Sequence, residues 1–265
     1  MKKAVFFDID GTLIDCLNGL TDITHRVKQA IRLLQTNGYY AFIATGRPYA
    51  FLSESLLDFG FDGFILTNGA QVKIKDNLIY KEPLDKDFIK KIANNFEELN
   101  IQYMLQGEIY SYMKENCKEF YSFYDSFSIS RKYLKINYDI ENVDTYKIEM
   151  LCKDKKGIDY CLSLGNDNDN YDYIHNVKEN SFELYSKINT KATGILKALA
   201  YLNISIENSY AFGDGKNDIE MLSTVGCGIA MGNASDEVKN YAKKVTDTVH
   251  NDGIALGIKD YILST

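Results

Sequence analysis

Histidines are few in this sequence, and its cysteines are scattered. The three histidines, His25, His175 and His250, do not fall at the spacing of metal ligands, which argues against a zinc hydrolase. The five cysteines are odd in number and include no C-x-x-C pair, a pattern typical of a reduced, cytoplasmic protein. The sequence also contains no G-x-S-x-G and no Walker A loop. If the chain is an enzyme, its carboxylates must carry the chemistry.

Long apolar runs and an excess of positive charge are also missing. The apolar run behind Lys2 and Lys3 ends at Asp8, which is too short for a signal peptide. No segment approaches the roughly 20 apolar residues of a membrane span. The net charge of −7 argues against a nucleic-acid partner and gives no support for an anionic membrane surface. We therefore expect a cytoplasmic protein that binds neither nucleic acid nor membrane.

Two acidic turns, each behind a short apolar strand, are the most informative feature of the chain. The first run, Ala4 to Phe7, stops at Asp8 and Asp10. The second run, Tyr210 to Phe212, stops at the segment Gly213 to Asp218, which reads GDGKND. Carboxylates are poor strand residues, so they belong at the strand ends and in the turns that follow. In open α/β sheets, the carboxyl ends of the strands are where ligands bind.

A cluster of carboxylates at one sheet edge requires a cation. Two such charges about 4 Å apart repel by roughly 4 kcal/mol at an effective dielectric constant of about 20. Oxygen ligands select a hard ion, so we predict Mg²⁺. The alternative is that each aspartate merely belongs to a turn, where carboxylates are common. The occurrence of two such turns, each behind an apolar strand, favours the metal site. Its expected residues are Asp8, Asp10, Asp214 and Asp218.

Helix and strand patterns alternate at both ends of the chain and predict an α/β fold with a doubly wound, Rossmann-like parallel sheet. Between about Tyr80 and Leu184 the pattern changes to helix-strand-strand units and contains no acidic turn of the catalytic type. We therefore expect an inserted α/β cap domain. The predicted boundaries are 1–83 and 185–265 for the core, and 84–184 for the cap.

Two further sites could bind an anion. Thr45, Gly46 and Arg47 follow a strand and precede a helix, where a hydroxyl, backbone N–H groups and a guanidinium suit a phosphate. The alternative is an ordinary turn with a surface arginine. Lys191 lies at a helix start, where its charge opposes the helix dipole. The carboxylate cluster or a bound phosphate would justify that position, although exposed lysines are common.

Taken together, these segments resemble the haloacid dehalogenase (HAD) superfamily, and within it the Cof-type phosphatases of subfamily IIB, which carry a large α/β cap. Asp8 to Thr12 is similar to the first motif of the family, Thr45 to Pro48 to the second, and Lys191 to the third. The fourth motif is matched by Gly213 to Asp218.

The resemblance covers nearly the whole chain. Met231 to Ala234 and the Asp252-Gly253 turn also fit the Cof pattern. His250 departs from it, because family members often carry an acidic residue there. The cap is similar only in length and pattern, so the resemblance names no substrate.

The resemblance implies a role for each site residue. Asp8 is expected to be the nucleophile that forms an aspartyl-phosphate, and Asp10 the general acid and then the base for water. Mg²⁺ is expected on the Asp8 carboxylate, the Asp10 carbonyl and Asp214, with Asp218 as a further ligand or a support for Lys191. The residues expected to bind the transferring phosphoryl group are Thr45, Gly46, Arg47, Lys191 and Asn217.

The implied activity is a Mg²⁺-dependent phosphatase of small phosphorylated metabolites, such as sugar phosphates or phosphorylated cofactors. A phosphomutase on the same scaffold remains an alternative. A phospho-receiver signalling domain is another, although its acceptor aspartate has no general acid two residues later, where this chain has Asp10. A catalytically inactive binding protein is disfavoured by the retention of every motif.

Overall fold

The computed structural model describes residues 2–126, 129–166 and 168–264, and they form two compact units. The first unit consists of Met1–Gly46, Glu54–Lys81 and Thr190–Thr265. The second unit consists of Arg47–Ser53 and Glu82–Asn189. Each unit contains its own β-sheet. Among the described residues, no helix is both long and apolar enough to cross a membrane.

The strands of the described residues are, in chain order, β1 (Lys3–Phe7), β2 (Tyr39–Ala44), β3 (Gly63–Leu66), β4 (Gln71–Ile74), β5 (Asn77–Lys81), β6 (Gln102–Gln106), β7 (Ser111–Met113), β8 (Leu134–Lys135), β9 (Lys147–Leu151), β10 (Tyr171–Asn176), β11 (Ser181–Ser186), β12 (Ser209–Gly213), β13 (Cys227–Ala230) and β14 (Lys244–Val245).

The α-helices of the same residues are, in chain order, α1 (His25–Thr36), α2 (Glu54–Asp58), α3 (Lys86–Glu98), α4 (Glu119–Ser126), α5 (Lys155–Asn166), α6 (Lys191–Leu202), α7 (Ile219–Thr224), α8 (Asp236–Lys239) and α9 (Gly253–Gly257). A π-helical segment, Ile258–Leu263, continues α9.

The sheet of the first unit has the strand order β14-β13-β12-β1-β2-β3-β4-β5. Each pair of neighbouring strands in the series β14-β13-β12-β1-β2-β3 is parallel, which confirms the predicted parallel core sheet. The last two strands, β4 and β5, are antiparallel additions at one edge. Ala4 and Phe6 pack in a buried cluster that includes residues of α6, α7 and α8. Val5 and Phe7 point to the opposite face and are also fully buried, so both faces of β1 are covered.

The sheet of the second unit has the strand order β10-β11-β9-β6-β7-β8 and is antiparallel except for the pair of β7 and β8. One face packs against α3 and α5 through a cluster that includes Phe96, Leu105 and Ile148. Met104 and Met113 belong to a separate cluster with residues of α4 and with Phe51. This second, separate sheet confirms the predicted inserted α/β domain.

The order of strands in the core sheet brings the two acidic turns together. Strands β1 and β12 are parallel neighbours, with Phe7 opposite Phe212. The amide of Asp8 donates to the carbonyl of Phe212 at 3.0 Å. Asp8 and Asp214 therefore leave the sheet side by side at its carboxyl edge.

Candidate active site

The turn after β1 is tightly closed around the carbonyl of Ile9. The amides of Thr12, Leu13 and Ile14 all donate to this oxygen, at 2.9–3.2 Å. Gly11 has a φ of +80°, and a Cβ there would overlap the carboxylate of Asp214. Glycine is required at this position because the acidic turn after β12 packs directly against it.

Three carboxylates meet at the sheet edge. Asp8, Asp214 and Asp218 each place an oxygen within 4.8 Å of the others. Asp8 and Asp218 are buried, and Asp214 is half-buried. Asp10 is exposed, and the backbone around it forms an isolated bridge with Ile14. Asp8 of the first acidic turn therefore lies beside Asp214 and Asp218 of the second, whereas the carboxylate of Asp10 is not part of this cluster of three.

Lys191 is buried inside this cluster. Its ammonium lies 2.6 Å from Oδ1 of Asp8 and 2.6 Å from Oδ1 of Asp218, and its side chain is 1% exposed. It is the first residue of α6, whose N-cap is Thr190. The carboxylate partners offset the unfavourable charge at the helix start. The sequence allowed either a nearby anion or an exposed, solvated lysine. The structure shows a buried lysine with carboxylates around it.

Asp218 accepts hydrogen bonds on both of its oxygens. Oδ1 faces Lys191, and Oδ2 accepts from the amides of Asp214 at 2.9 Å and Gly215 at 2.8 Å. Asp218 thereby fixes both the lysine and the turn after β12. This geometry suits the expected role as a support for Lys191.

The cluster carries more negative charge than its lysine can balance. Burial and repulsion from Asp218 raise the pKa of Asp8 well above its usual range, against the attraction of Lys191. Burial raises the pKa of Asp214 to about 6, although the hydrogen bond from Thr12 opposes the shift. Burial alone would lower the pKa of Lys191, but Asp218 and Asp8 raise it. The cluster has three carboxylates and one ammonium, which pairs with Asp8 and Asp218, so a divalent cation would balance the remaining negative charge.

Asp214 receives a hydrogen bond on each oxygen from residues to which the sequence gave no individual role. The hydroxyl of Thr12 donates to Oδ1 at 2.9 Å. The amide of Asn233 donates to Oδ2 at 3.3 Å and also to the carbonyl of Gly11 at 2.8 Å. The only sequence signal for both residues was their position within a motif.

The turns after β2, β3 and β12 are linked through Asn68. The backbone amide of Asn68 donates to the carbonyl of Thr45 at 3.0 Å, and its side-chain oxygen accepts from the side-chain amide of Asn217 at 3.2 Å. A Cβ at Gly46 would lie 3.1 Å from the same oxygen. Asn68 has a left-handed φ of 52°, which asparagine tolerates well. Thr45, Gly46 and Asn217 therefore share Asn68 as a neighbour.

Arg47 lies on the other side of a unit boundary. The first unit ends its initial segment at Gly46, and Arg47 begins the segment Arg47–Ser53 of the second unit. Its guanidinium donates to the carbonyl of Phe51 at 3.1 Å. The three residues of the predicted phosphate-binding turn are thus divided between the two units.

Comparison with known proteins gives a consistent result. A family model for haloacid dehalogenase-like hydrolases matches residues 5–258. The 5-amino-6-(5-phospho-D-ribitylamino)uracil phosphatase YcsE of Bacillus subtilis is 30% identical over 272 residues, covering 98% of this chain and 96% of the relative.

Two solved structures extend the similarity to the whole fold. A hypothetical protein of Geobacillus kaustophilus is 30% identical, with a TM-score of 0.86 and 98% of each chain covered. The HAD subclass IIB sugar phosphatase BT4131 is 27% identical, with a TM-score of 0.77 and 98% of each chain covered. The predicted family, fold and enzyme class are thereby confirmed. The chain belongs to the haloacid dehalogenase-like hydrolases and has its relatives among their Cof-type, subclass IIB phosphatases.

Proposed function

We propose that this protein is a Mg²⁺-dependent phosphatase that hydrolyses small phosphorylated metabolites through an aspartyl-phosphate on Asp8. The observation that carries the proposal is the buried cluster in which Lys191 holds Asp8 at 2.6 Å beside Asp214. Asp10 follows Asp8 by two residues, lies in the same turn and is exposed. These groups supply a nucleophile, a fixed positive charge and an acid.

Asp8 is assigned the nucleophilic attack on phosphorus. Its carboxylate displaces the alcohol of the substrate and becomes an acyl phosphate, which water then hydrolyses. Lys191 orients the carboxylate in the resting state and offsets the charge of the phosphoryl oxygens during transfer. Burial of both groups strengthens this interaction because the surrounding dielectric is low.

Asp10 is assigned the two proton transfers. It gives a proton to the departing alkoxide in the first step and removes one from the attacking water in the second. An exposed position suits this role, since the group must exchange protons with substrate and solvent. The backbone bridge from Asp10 to Ile14 fixes the turn that carries it.

Asp8 and Asp214 are the side chains we assign to Mg²⁺, together with the backbone carbonyl of Asp10. Asp218 already accepts three hydrogen bonds, one on Oδ1 from Lys191 and two on Oδ2, so we assign it to the support of Lys191. When bound, the ion would neutralise the developing charge on the transferred group and orient it toward Asp8.

Thr45, Gly46, Lys191 and Asn217 are the residues we assign to the phosphoryl oxygens. The first two lie at the carboxyl end of β2, next to β1 in the sheet. Asn217 joins them through Asn68. Arg47 follows Gly46 directly and is kept as a further candidate for this role.

The relatives narrow the substrate class that we propose. YcsE is named for a substrate with a phosphorylated ribityl chain, and BT4131 is described as a sugar phosphatase. Both names describe a phosphate ester on a hydroxylated carbon chain. We propose the same class for this protein, with phosphorylated cofactors of that type included.

The direct test is release of inorganic phosphate from an aryl phosphate and from a panel of sugar and polyol phosphates. We expect turnover with Mg²⁺ and loss of activity in excess chelator, restored when Mg²⁺ is added back. Full turnover in excess chelator would contradict the metal assignment. Recovery of an isomerised sugar phosphate in place of free phosphate would indicate a phosphomutase instead.

The affinity for Mg²⁺ should depend on pH because Asp214 must lose its proton to bind the ion. Burial raises the pKa of Asp214 to about 6, so the carboxyl is ionised at pH 7 and largely protonated at pH 5. We expect the Kd for Mg²⁺, measured by calorimetry, to rise at least about tenfold between these two values. Circular dichroism at both pH values controls for unfolding. A Kd that stays constant over this range would contradict the binding of Mg²⁺ by a buried carboxyl with a raised pKa.

A further inference from the structure

Asn233 connects three neighbouring turns at the carboxyl edge of the core sheet. It follows β13, which is adjacent to β12, which in turn is adjacent to β1. Its side-chain amide reaches the carbonyl of Gly11 after β1 and the carboxylate of Asp214 after β12. Asn233 is exposed, so its contribution to packing is small.

The orientation of the Asn233 amide is fixed from behind. The backbone amide of Val249 donates to its Oδ1 at 2.9 Å. Because an N–H group can only donate to the oxygen, the NH₂ group must face Gly11 and Asp214. The turn itself is secured by Gly232, whose amide donates to Asp247 at 3.0 Å and whose carbonyl accepts from Lys239 at 2.8 Å.

The two donors on Asp214 together determine how its carboxylate is rotated. Thr12 binds Oδ1 and Asn233 binds Oδ2, so rotation about the last side-chain bond would break one of the two hydrogen bonds. Each carboxylate oxygen has two lone pairs, so one on each remains available for a cation. Asn233 also donates to the carbonyl of Gly11 in the first acidic turn, so it limits the distance between the two acidic turns.

We propose that Asn233 is a positioning residue, which orients Asp214 and holds the turn after β1 against the turn after β12. This inference rests on the proposed function, since it assigns Asn233 to the same metal site. Partners that orient a metal ligand typically change metal affinity by about 10-fold to 100-fold when they are removed. Asn233 should therefore control the affinity for Mg²⁺ more than the stability of the fold.

The test is the Kd for Mg²⁺ alone, measured by calorimetry on the full chain. We expect Asn233→Ala to raise the Kd about tenfold. The matched control is Asn240→Ala, at an exposed asparagine that follows α8, which should leave the Kd unchanged. The melting temperature without metal, measured for all three proteins, should be similar. A purely structural role would instead lower this temperature and leave the Kd of the folded protein unchanged.

A double-mutant cycle with Asp214→Asn shows whether Asn233 acts through Asp214. If it does, adding Asn233→Ala to Asp214→Asn should change the Kd by less than about twofold, because coupled residues are not additive. If the two losses multiply in full, the orientation of Asp214 by Asn233 is overturned. A Kd for Asn233→Ala equal to that of the wild type would overturn the whole inference. Failure of the wild type itself to bind Mg²⁺ would instead contradict the proposed function.

Discussion

Replacing Asp8 with asparagine should reduce turnover by about 10⁴-fold or more, while the protein stays folded. The amide has nearly the shape of the carboxylate, and its oxygen can still accept the hydrogen bond from Lys191. It is not a nucleophile, however, so no acyl phosphate can form. Because the variant removes one buried acid from a cluster with excess negative charge, its thermal stability without metal should equal or exceed that of the wild type.

The matched control for Asp8→Asn is Asp76→Asn. Asp76 is an exposed residue between β4 and β5, and the substitution removes the same formal charge. Steady-state phosphate release should be unchanged in this control. An Asp8→Asn variant that keeps more than a few per cent of wild-type turnover would show that another group attacks the phosphorus.

Removing the Lys191 ammonium should have the second-largest effect, on both stability and activity. Lys191→Met would leave Asp8 and Asp218 buried without their shared counter-ion. Breaking a buried ion pair in this way typically costs about 3–5 kcal/mol. We therefore expect the free energy of unfolding at pH 7 to fall by roughly this amount, and turnover to fall by about 10³-fold or more because a charge that stabilises the transition state is lost.

The loss of stability in Lys191→Met should diminish as the pH is lowered toward 5. Burial and Asp218 already raise the pKa of Asp8, and without the lysine this pKa would rise further. Protonation then removes the unpaired charge, and with it part of the penalty. Urea unfolding at several pH values measures the effect. A stability loss that is independent of pH would contradict this electrostatic account.

Lys216→Met is the control for this experiment. Lys216 forms an ion pair with Glu237 at 2.8 Å, but its side chain is 77% exposed. Exposed pairs contribute little to stability because water and salt screen them. Lys216→Met should unfold like the wild type at every pH. A loss as large as that of Lys191→Met would mean that the assay reports lysine removal in general.

The sequence was sufficient to predict the centre of the site. Carboxylates behind two apolar strands had to lie at the same edge once those strands shared a parallel sheet, and Phe7 is indeed opposite Phe212. A nearby anion was one of the two explanations that the sequence left open for Lys191 at a helix start, and two carboxylates lie 2.6 Å away. Both predictions followed from local patterns with a strong electrostatic consequence.

The antiparallel edge of the core sheet was not predicted. Strands β4 and β5 contain apolar residues such as Val72 and Ile79, but such a pattern does not reveal the direction in which a strand pairs. Lys75 in the connecting turn has a left-handed φ of 53°. Lysine rarely adopts this conformation, so the residue type does not predict a turn there. The direction of pairing is set by neighbours that the local sequence does not identify.

The division between Gly46 and Arg47 also depends on distant residues. The ring of Phe51 packs edge-on against Tyr124 at 5.4 Å, and Tyr49 against Tyr133 at 5.3 Å. These contacts place Arg47–Ser53 with the second unit. A local turn signal around Pro48 cannot indicate such long-range packing. For the same reason, the roles of Asn68 and Asn233 become visible only when their partners in other turns are known.

The most direct test of the central claim is to identify the residue that carries the phosphoryl group during turnover. The variant Asp10→Asn should accumulate the intermediate with an aryl phosphate, because a good leaving group needs little protonation while activation of water is impaired. After acid quench and proteolysis, mass spectrometry should find phosphate on the peptide that contains Asp8, and no phosphopeptide when Asp8→Asn is added. Phosphate on any other residue, or turnover without a phosphorylated protein, would contradict the account.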